Sequence, residues 1–161
     1  KDLTDPAILK MIHLVKRKER SISNFFSQMR VVPVSISYEF DPNDLNKAKE
    51  VYEAEVNGYY QKKENEDLES ISRGISGFKG LVVLNIGNVM NFKSDSYEDV
   101  AKQITNEISN QFHNHSTNKD ALSILNEDLK LEDNEYFSKR LKDQPDEVKS
   151  ILLSQYANSA N

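Results

Sequence analysis

The sequence predicts a mixed α/β fold: a small parallel sheet with strands near 31–38 and 81–87, several packed helices, and a C-terminal third that is helical throughout. Three observations predict it. VVPVSISY, residues 31–38, sets Val32, Val34, Ile36 and Tyr38 in alternation with Val31, Pro33, Ser35 and Ser37, the period of a strand with two unlike faces. LVVLNIG, residues 81–87, begins near-continuously apolar, as a strand covered on both faces does. Apolar residues recur at helical spacing between and beyond these runs, and two strands separated by helical sequence suggest a parallel pair with a right-handed crossover.

The elements follow in chain order. Asp5-Pro6 opens a first helix, with Asp5 as cap and Pro6 in the first turn, where a missing N–H costs nothing. Ile8, Met11, Ile12 and Val15 form its expected inward stripe, and Lys16, Arg17 and Lys18 lie near its end, where cations oppose the helix dipole. SISNFFSQM predicts a short helix with Ile22, Phe25, Phe26 and Met29 inward. In the first strand Pro33 removes a backbone donor, so an edge or irregular pairing is expected there. DPND restarts a helix over 42–57 with Asp41 as cap and Pro42 in first position, a stripe of Leu45, Ala48, Val51, Tyr52 and Val56, and Gly58 as its stop. A short helix around Leu68 and Ile71 ends near Gly74 and Gly77. After the second strand, Ser96 caps a helix to about Phe112 with Tyr97, Val100, Ile104, Ile108 and Phe112 inward. Leu122 and Leu125, then Tyr136, Phe137 and Leu141, mark two further segments, and Pro145 starts a last helix carrying Val148, Ile151, Leu152 and Tyr156. Residues 1–161 read as a single domain or as the C-terminal part of a larger one, with an α/β portion to residue 95 and a helical portion from 96. Two strands alone do not make a stable sheet, so further strands are expected from an upstream segment or a partner.

Composition narrows the function classes. The 161 residues can bury a real core, and the 37% apolar fraction is too high and too patterned for wholesale disorder. Twenty-six acids against 21 bases give a net charge of −5, which argues against nucleic acid as a partner. The absence of cysteine removes disulfides, thiolate chemistry and thiolate zinc sites. No apolar run is long enough to span a bilayer, and KDLTDPAILKMI is not a signal peptide, so a cytoplasmic setting is expected. No strongly basic amphipathic helix stands out to argue for membrane contact.

Few residues could carry chemistry. His13 lies beside the apolar stripe of the first helix and reads as packing or surface. His113 and His115 follow a helix end two residues apart, without a third ligand at useful spacing, so a terminus or surface role is expected and no metal. Glu64, Glu66, Asp67 and Glu69 read as a solvated run, and Asp41 and Asp44 as helix-start residues. Ser35 and Ser37 share a strand face that either packs against a helix or lines a groove, and neither has an assignable base. The glycines of RGISGFKGLVVLNIG precede a strand instead of linking a strand to a helix, so they match no phosphate-binding fingerprint, though Arg73 and Lys79 could contact an anion. No catalytic residue and no cofactor are assigned.

VVPVSISYEFDPNDLNKAKEVYE resembles the region around the fourth conserved block of the phospholipid and glycerol acyltransferase family, and in particular its bacterial cytosolic, lysophosphatidate-acyltransferase-like members. RGISGFKGLVVLNIG and LLSQYANSAN resemble the same group. The resemblance implies an enzyme of phospholipid and glycerolipid biosynthesis. Its donor would be acyl-CoA or acyl-carrier protein, its acceptor a glycerophosphate-like molecule, and its location cytoplasmic with peripheral contact at the inner face of the membrane. It carries over Pro33, with Val32 and Val34 beside it, as support for a substrate groove. The family's catalytic histidine and aspartate are separated by four residues. Here that spacing leads from His13 to Lys18 and from His113 to Asn118, neither an aspartate; HSTNKD sets His115 and Asp120 at the family's spacing, but downstream of the fourth block, whereas the family's pair lies upstream of it, and the family's glutamate-glycine phosphate-binding block is missing as well. The start at Lys1 resembles the sequence just after the third block, so the expectation is a C-terminal fragment, inactive alone. The competing expectation is a noncatalytic α/β protein-interaction module.

Overall fold

The computed structural model describes residues 3–16 and 20–158, apart from the Lys16 side chain. Of the basic run, the Lys16 side chain, Arg17 and Lys18 therefore lie outside the described residues, as do the last residues of LLSQYANSAN. The chain is mostly helical. Eight α-helices and two strands occur among the described residues, in the order α1 Pro6–His13, α2 Ile22–Gln28, β1 Val34–Tyr38, α3 Asp44–Asn57, α4 Glu66–Ser76, β2 Val82–Ile86, α5 Tyr97–Asn110, α6 Ser116–Leu125, α7 Glu135–Arg140 and α8 Asp146–Ala157. Short 3₁₀ turns cover Leu14–Lys16 and Leu131–Asp133.

The helix starts obey local chemistry. Asp5 accepts the Ala7 N–H at 2.8 Å, and the Ser96 hydroxyl accepts the Asp99 N–H at 3.3 Å. One start is displaced: α3 begins at Asp44 with Asn43 before it, instead of at Pro42 behind an Asp41 cap. Asp41 instead closes a tight turn by accepting the Asn43 N–H at 2.8 Å. Gly58 ends α3 at φ 77°, a left-handed conformation that glycine adopts without a Cβ penalty.

The strands pair, but the sheet is antiparallel and not parallel. The Glu39 N–H donates to the Leu81 carbonyl and the Gly87 N–H to the Pro33 carbonyl, both at 2.9 Å, so position rises on one strand as it falls on the other. The long helical excursion between the strands returns the chain from the opposite end, which a crossover argument from spacing does not foresee. Pro33 sits just ahead of β1 and uses its carbonyl, so its missing donor disturbs no ladder. Nor is β2 covered on both faces: Val82, Leu84 and Ile86 are exposed.

Two compact units divide the chain: residues 1–37 with 83–113, and 38–82 with 114–161. The boundary expected at residue 95 falls inside the first. In that unit Leu9, Phe25, Phe26, Met90, Phe92, Val100, Ala101 and Ile104 form the core. The expected inward stripe of α1 faces outward instead. Leu9 and His13 are buried, while Ile8, Met11, Ile12 and Val15 are exposed. Of the α2 set, Phe25 and Phe26 are buried, Ile22 is half-buried and Met29 is exposed. On α5, Val100 and Ile104 are buried and Tyr97 and Ile108 are half-buried, but Phe112 beyond its end is exposed. The second unit packs α3, α6, α7 and α8 around Ala48, Ala121, Phe137, Leu141, Val148, Leu152 and Tyr156. Leu45 and Tyr52 of α3 pack on this core, whereas Val51 and Val56 are exposed.

Candidate functional site

The strand carrying the sequence-selected residues has inverted polarity. Ser35 and Ser37 are buried, and the Ser35 hydroxyl donates to the Gln111 carbonyl at 3.0 Å. Asn85 of β2 donates to the same carbonyl at 2.6 Å. The polar face of the sheet therefore closes over the end of α5, and Ser35 and Ser37 line no open groove. Val32 and Val34 are exposed, with Pro33 buried between them. Val34, Ile36, Leu84 and Ile86 project from the other face into solvent, and the strand ends Tyr38 and Val82 are exposed too. A sheet with one wet face ordinarily turns its apolar side to the core.

The histidines take packing and capping positions. The His13 ring stacks on Phe25 with centroids 4.5 Å apart, and its Nδ1 lies 2.8 Å from the Tyr97 hydroxyl. His115 precedes α6, and its N–H donates to Asn118 Oδ1 at 2.7 Å. His113 is exposed. The two expected anion-contacting cations serve the protein itself: Lys79 Nζ donates to the Ile75 and Gly77 carbonyls at 3.1 and 3.0 Å, and Arg73 Nη1 reaches Asn43 Oδ1 at 3.5 Å. In the acidic connection, Glu66 accepts the Tyr60 hydroxyl at 2.6 Å and the Lys63 N–H at 2.8 Å. Accepting from Tyr60 lowers the Glu66 pKa, and the same bond pushes the Tyr60 hydroxyl up to about 12.

The strongest polar cluster was not selected from sequence. Asp44 is 1% exposed in the second unit. Arg140 grips its Oδ1 through Nη2 at 2.5 Å and Nε at 2.8 Å, while Tyr136 and Tyr156 donate to Oδ2 at 2.6 and 2.9 Å. Burial, reinforced by the Asp44 carboxylate, raises both phenol pKa values. For Arg140 burial acts downward, but Asp44 outweighs it and the guanidinium pKa rises. The two phenols are thereby held neutral and the guanidinium charged. The cluster borders a shallow concavity that also includes Phe40, Thr117, Asp120 and Lys139. It offers neither a base near neutrality nor an activated nucleophile, so its chemistry is that of a structural brace. Among the described residues, no His, Asp and Glu side chains gather in a group of three or more suited to a metal.

No family model, curated protein or solved structure matches the chain.

Proposed function

We propose that this chain is the C-terminal portion of an acyltransferase that moves an acyl group from an acyl thioester, carried on CoA or acyl-carrier protein, to a hydroxyl of a glycerophosphate-like acceptor. The reading rests on the resemblance of VVPVSISYEFDPND and RGISGFKGLVVLNIG to the phospholipid and glycerol acyltransferase family. One structural observation supports it: these two segments form β1 and β2, and their outward face is apolar and exposed. On this reading the face is an internal surface of a larger α/β domain, covered by the portion that holds the histidine–aspartate pair and the phosphate-binding block. The chain then supplies a rigid floor. Val32, Pro33 and Val34, at the entrance of β1, would border the acceptor groove, and the reacting hydroxyl would lose its proton to the upstream histidine. The chain alone performs no turnover. Localisation on this reading is cytoplasmic, at the inner face of a membrane. Among the described residues no helix is long and apolar enough to cross one.

The test is to join this chain to its upstream reading frame and assay acyl transfer with Ile36→Asp and Leu84→Asp. Both side chains are exposed here, so neither change should unfold the isolated chain. In the joined protein each is expected to abolish activity by preventing the two portions from packing. Full activity of the joined variants would reject the interface. Absence of a histidine–x4–aspartate pair upstream would favour the noncatalytic interaction module.

A further inference from the structure

Asn57 and Gly58 form the chain's only asparagine–glycine step. Asn57 is the last residue of α3, and Gly58 follows it at φ 77°. Both are exposed, as is Tyr59 beyond them. The Gly58 N–H meets no acceptor among the described residues, whereas the residue that follows each of the other α-helices returns its N–H to a helix carbonyl. The Asn57 carboxamide likewise makes no hydrogen bond among the described residues, while those of Asn43, Asn85 and Asn118 donate to main-chain carbonyls. A Cβ placed on Gly58 would meet no atom within 4 Å, so the space around the pair is open.

A main-chain nitrogen is thus left free beside the carboxamide of the residue before it. Glycine has no Cβ to obstruct the approach, and the two groups are tethered by the chain, so the attack is intramolecular. We infer that Asn57–Gly58 is a self-modification site, at which Asn57 deamidates through a cyclic imide with water as the only co-reactant. Solvent hydroxide takes the Gly58 N–H proton, and the nitrogen forms a bond to Asn57 Cγ. The Cγ–Nδ2 bond breaks, and Nδ2 takes a proton from water and leaves as ammonia. Water then opens the imide at either carbonyl, giving aspartate or, with the backbone rerouted through the side chain, isoaspartate. Ring closure turns Asn57 out of its helical backbone angles, which the last residue of a helix does at the cost of its own turn alone. The step needs neither an upstream portion nor an acyl donor. Its product bears on α3: a carboxylate at position 57 stands at the negative end of the helix dipole, one turn after Glu53, and the last turn holds no cation to offset it. That turn frays, while Leu45, Ala48 and Tyr52 keep α3 on its core.

The test ages the purified chain in mildly alkaline buffer made with heavy-oxygen water and maps its peptides by mass spectrometry. The peptide spanning Asn57 and Gly58 should convert before that of any other asparagine, including Asn158 ahead of Ser159. It should take up heavy oxygen, become a substrate for isoaspartyl methyltransferase, and form faster in proportion to hydroxide. Gly58→Ala should lose the conversion, and so should Gly58→Asp, whose short polar side chain tolerates the left-handed conformation if alanine there disturbs the fold. Circular dichroism checks that the variants keep their helices. In aged chain separated by anion exchange, amide hydrogen exchange should speed up over the last turn of α3 and stay unchanged over residues 45–52. Earlier conversion at another asparagine, conversion at Asn57 only in urea, or undiminished conversion in the folded Gly58 variants would overturn the proposal. Unchanged exchange at the end of α3 would overturn its consequence for the helix.

Discussion

At the scale of the residue, Asp44 decides most. Its carboxylate is buried and makes four side-chain contacts, to Arg140 twice and to Tyr136 and Tyr156 once each. Asp44→Ala would strand a guanidinium and two phenols. Removing one partner of a buried pair costs about 3–5 kcal/mol, and because Arg140 is about one-third exposed, roughly 2–4 kcal/mol is expected in urea melts. Tyr136→Phe should cost only about 1 kcal/mol, since Asp44 keeps its other donors. The phenols also set a pH dependence. Their pKa values are raised in the folded chain, so their contribution is complete below about pH 10, where unfolded tyrosine titrates, and is lost as pH rises through the folded values. Urea stability should fall progressively as pH rises above about 10, and the Tyr136→Phe/Tyr156→Phe variant should fall less. Sequence could name Asp44 as a helix-start residue but not as this hub, because its partners lie 92, 96 and 112 positions away. The caps Asp5 and Ser96 and the stop at Gly58 were legible because each acts within one turn of itself.

Element by element, periodicity finds a helix more readily than it finds which side is wet. On α5 the stripe and the core agree: Ile104 is buried, and Ile108, one turn on, is half-buried. Ile104→Ala should therefore cost about 2–4 kcal/mol and Ile108→Ala clearly less, as measured by denaturant midpoints. On α1 the same reasoning selects the wrong side, because Leu9 and His13 lie next to a longer apolar series and only the packing of Phe25 and Phe26 shows which side is inward. The strands show a related limit. Alternation located β1 and β2 to within a few residues, and the serine face could be read as packing or groove. Direction could not be read, because an excursion containing both α3 and α4 can return the chain either way. The apolar faces of β1 and β2 predict a practical behaviour for the isolated chain: Ile36→Asp should reduce its concentration-dependent self-association in light scattering while leaving its melting midpoint within about 0.5 kcal/mol.

For the whole molecule, the inverted sheet is the feature that a self-sufficient domain does not need. Its serine side is closed over Gln111, its valine, isoleucine and leucine side is open, and each unit has its own aromatic-rich core. In the second unit the buried Asp44 carboxylate is fully committed to a brace. On the proposed reading, a floor without its catalytic half would leave such a sheet face open, and the family resemblance names that half. The most direct test follows thiol release from an acyl thioester with a glycerophosphate acceptor, comparing this chain, the joined upstream–downstream protein, and the joined protein with its upstream histidine changed to alanine. Turnover by the joined protein alone, abolished by the histidine change, is the predicted result. Robust turnover by this chain, lost when His113 or His115 becomes alanine, would contradict the account by showing that a complete site lies within these residues.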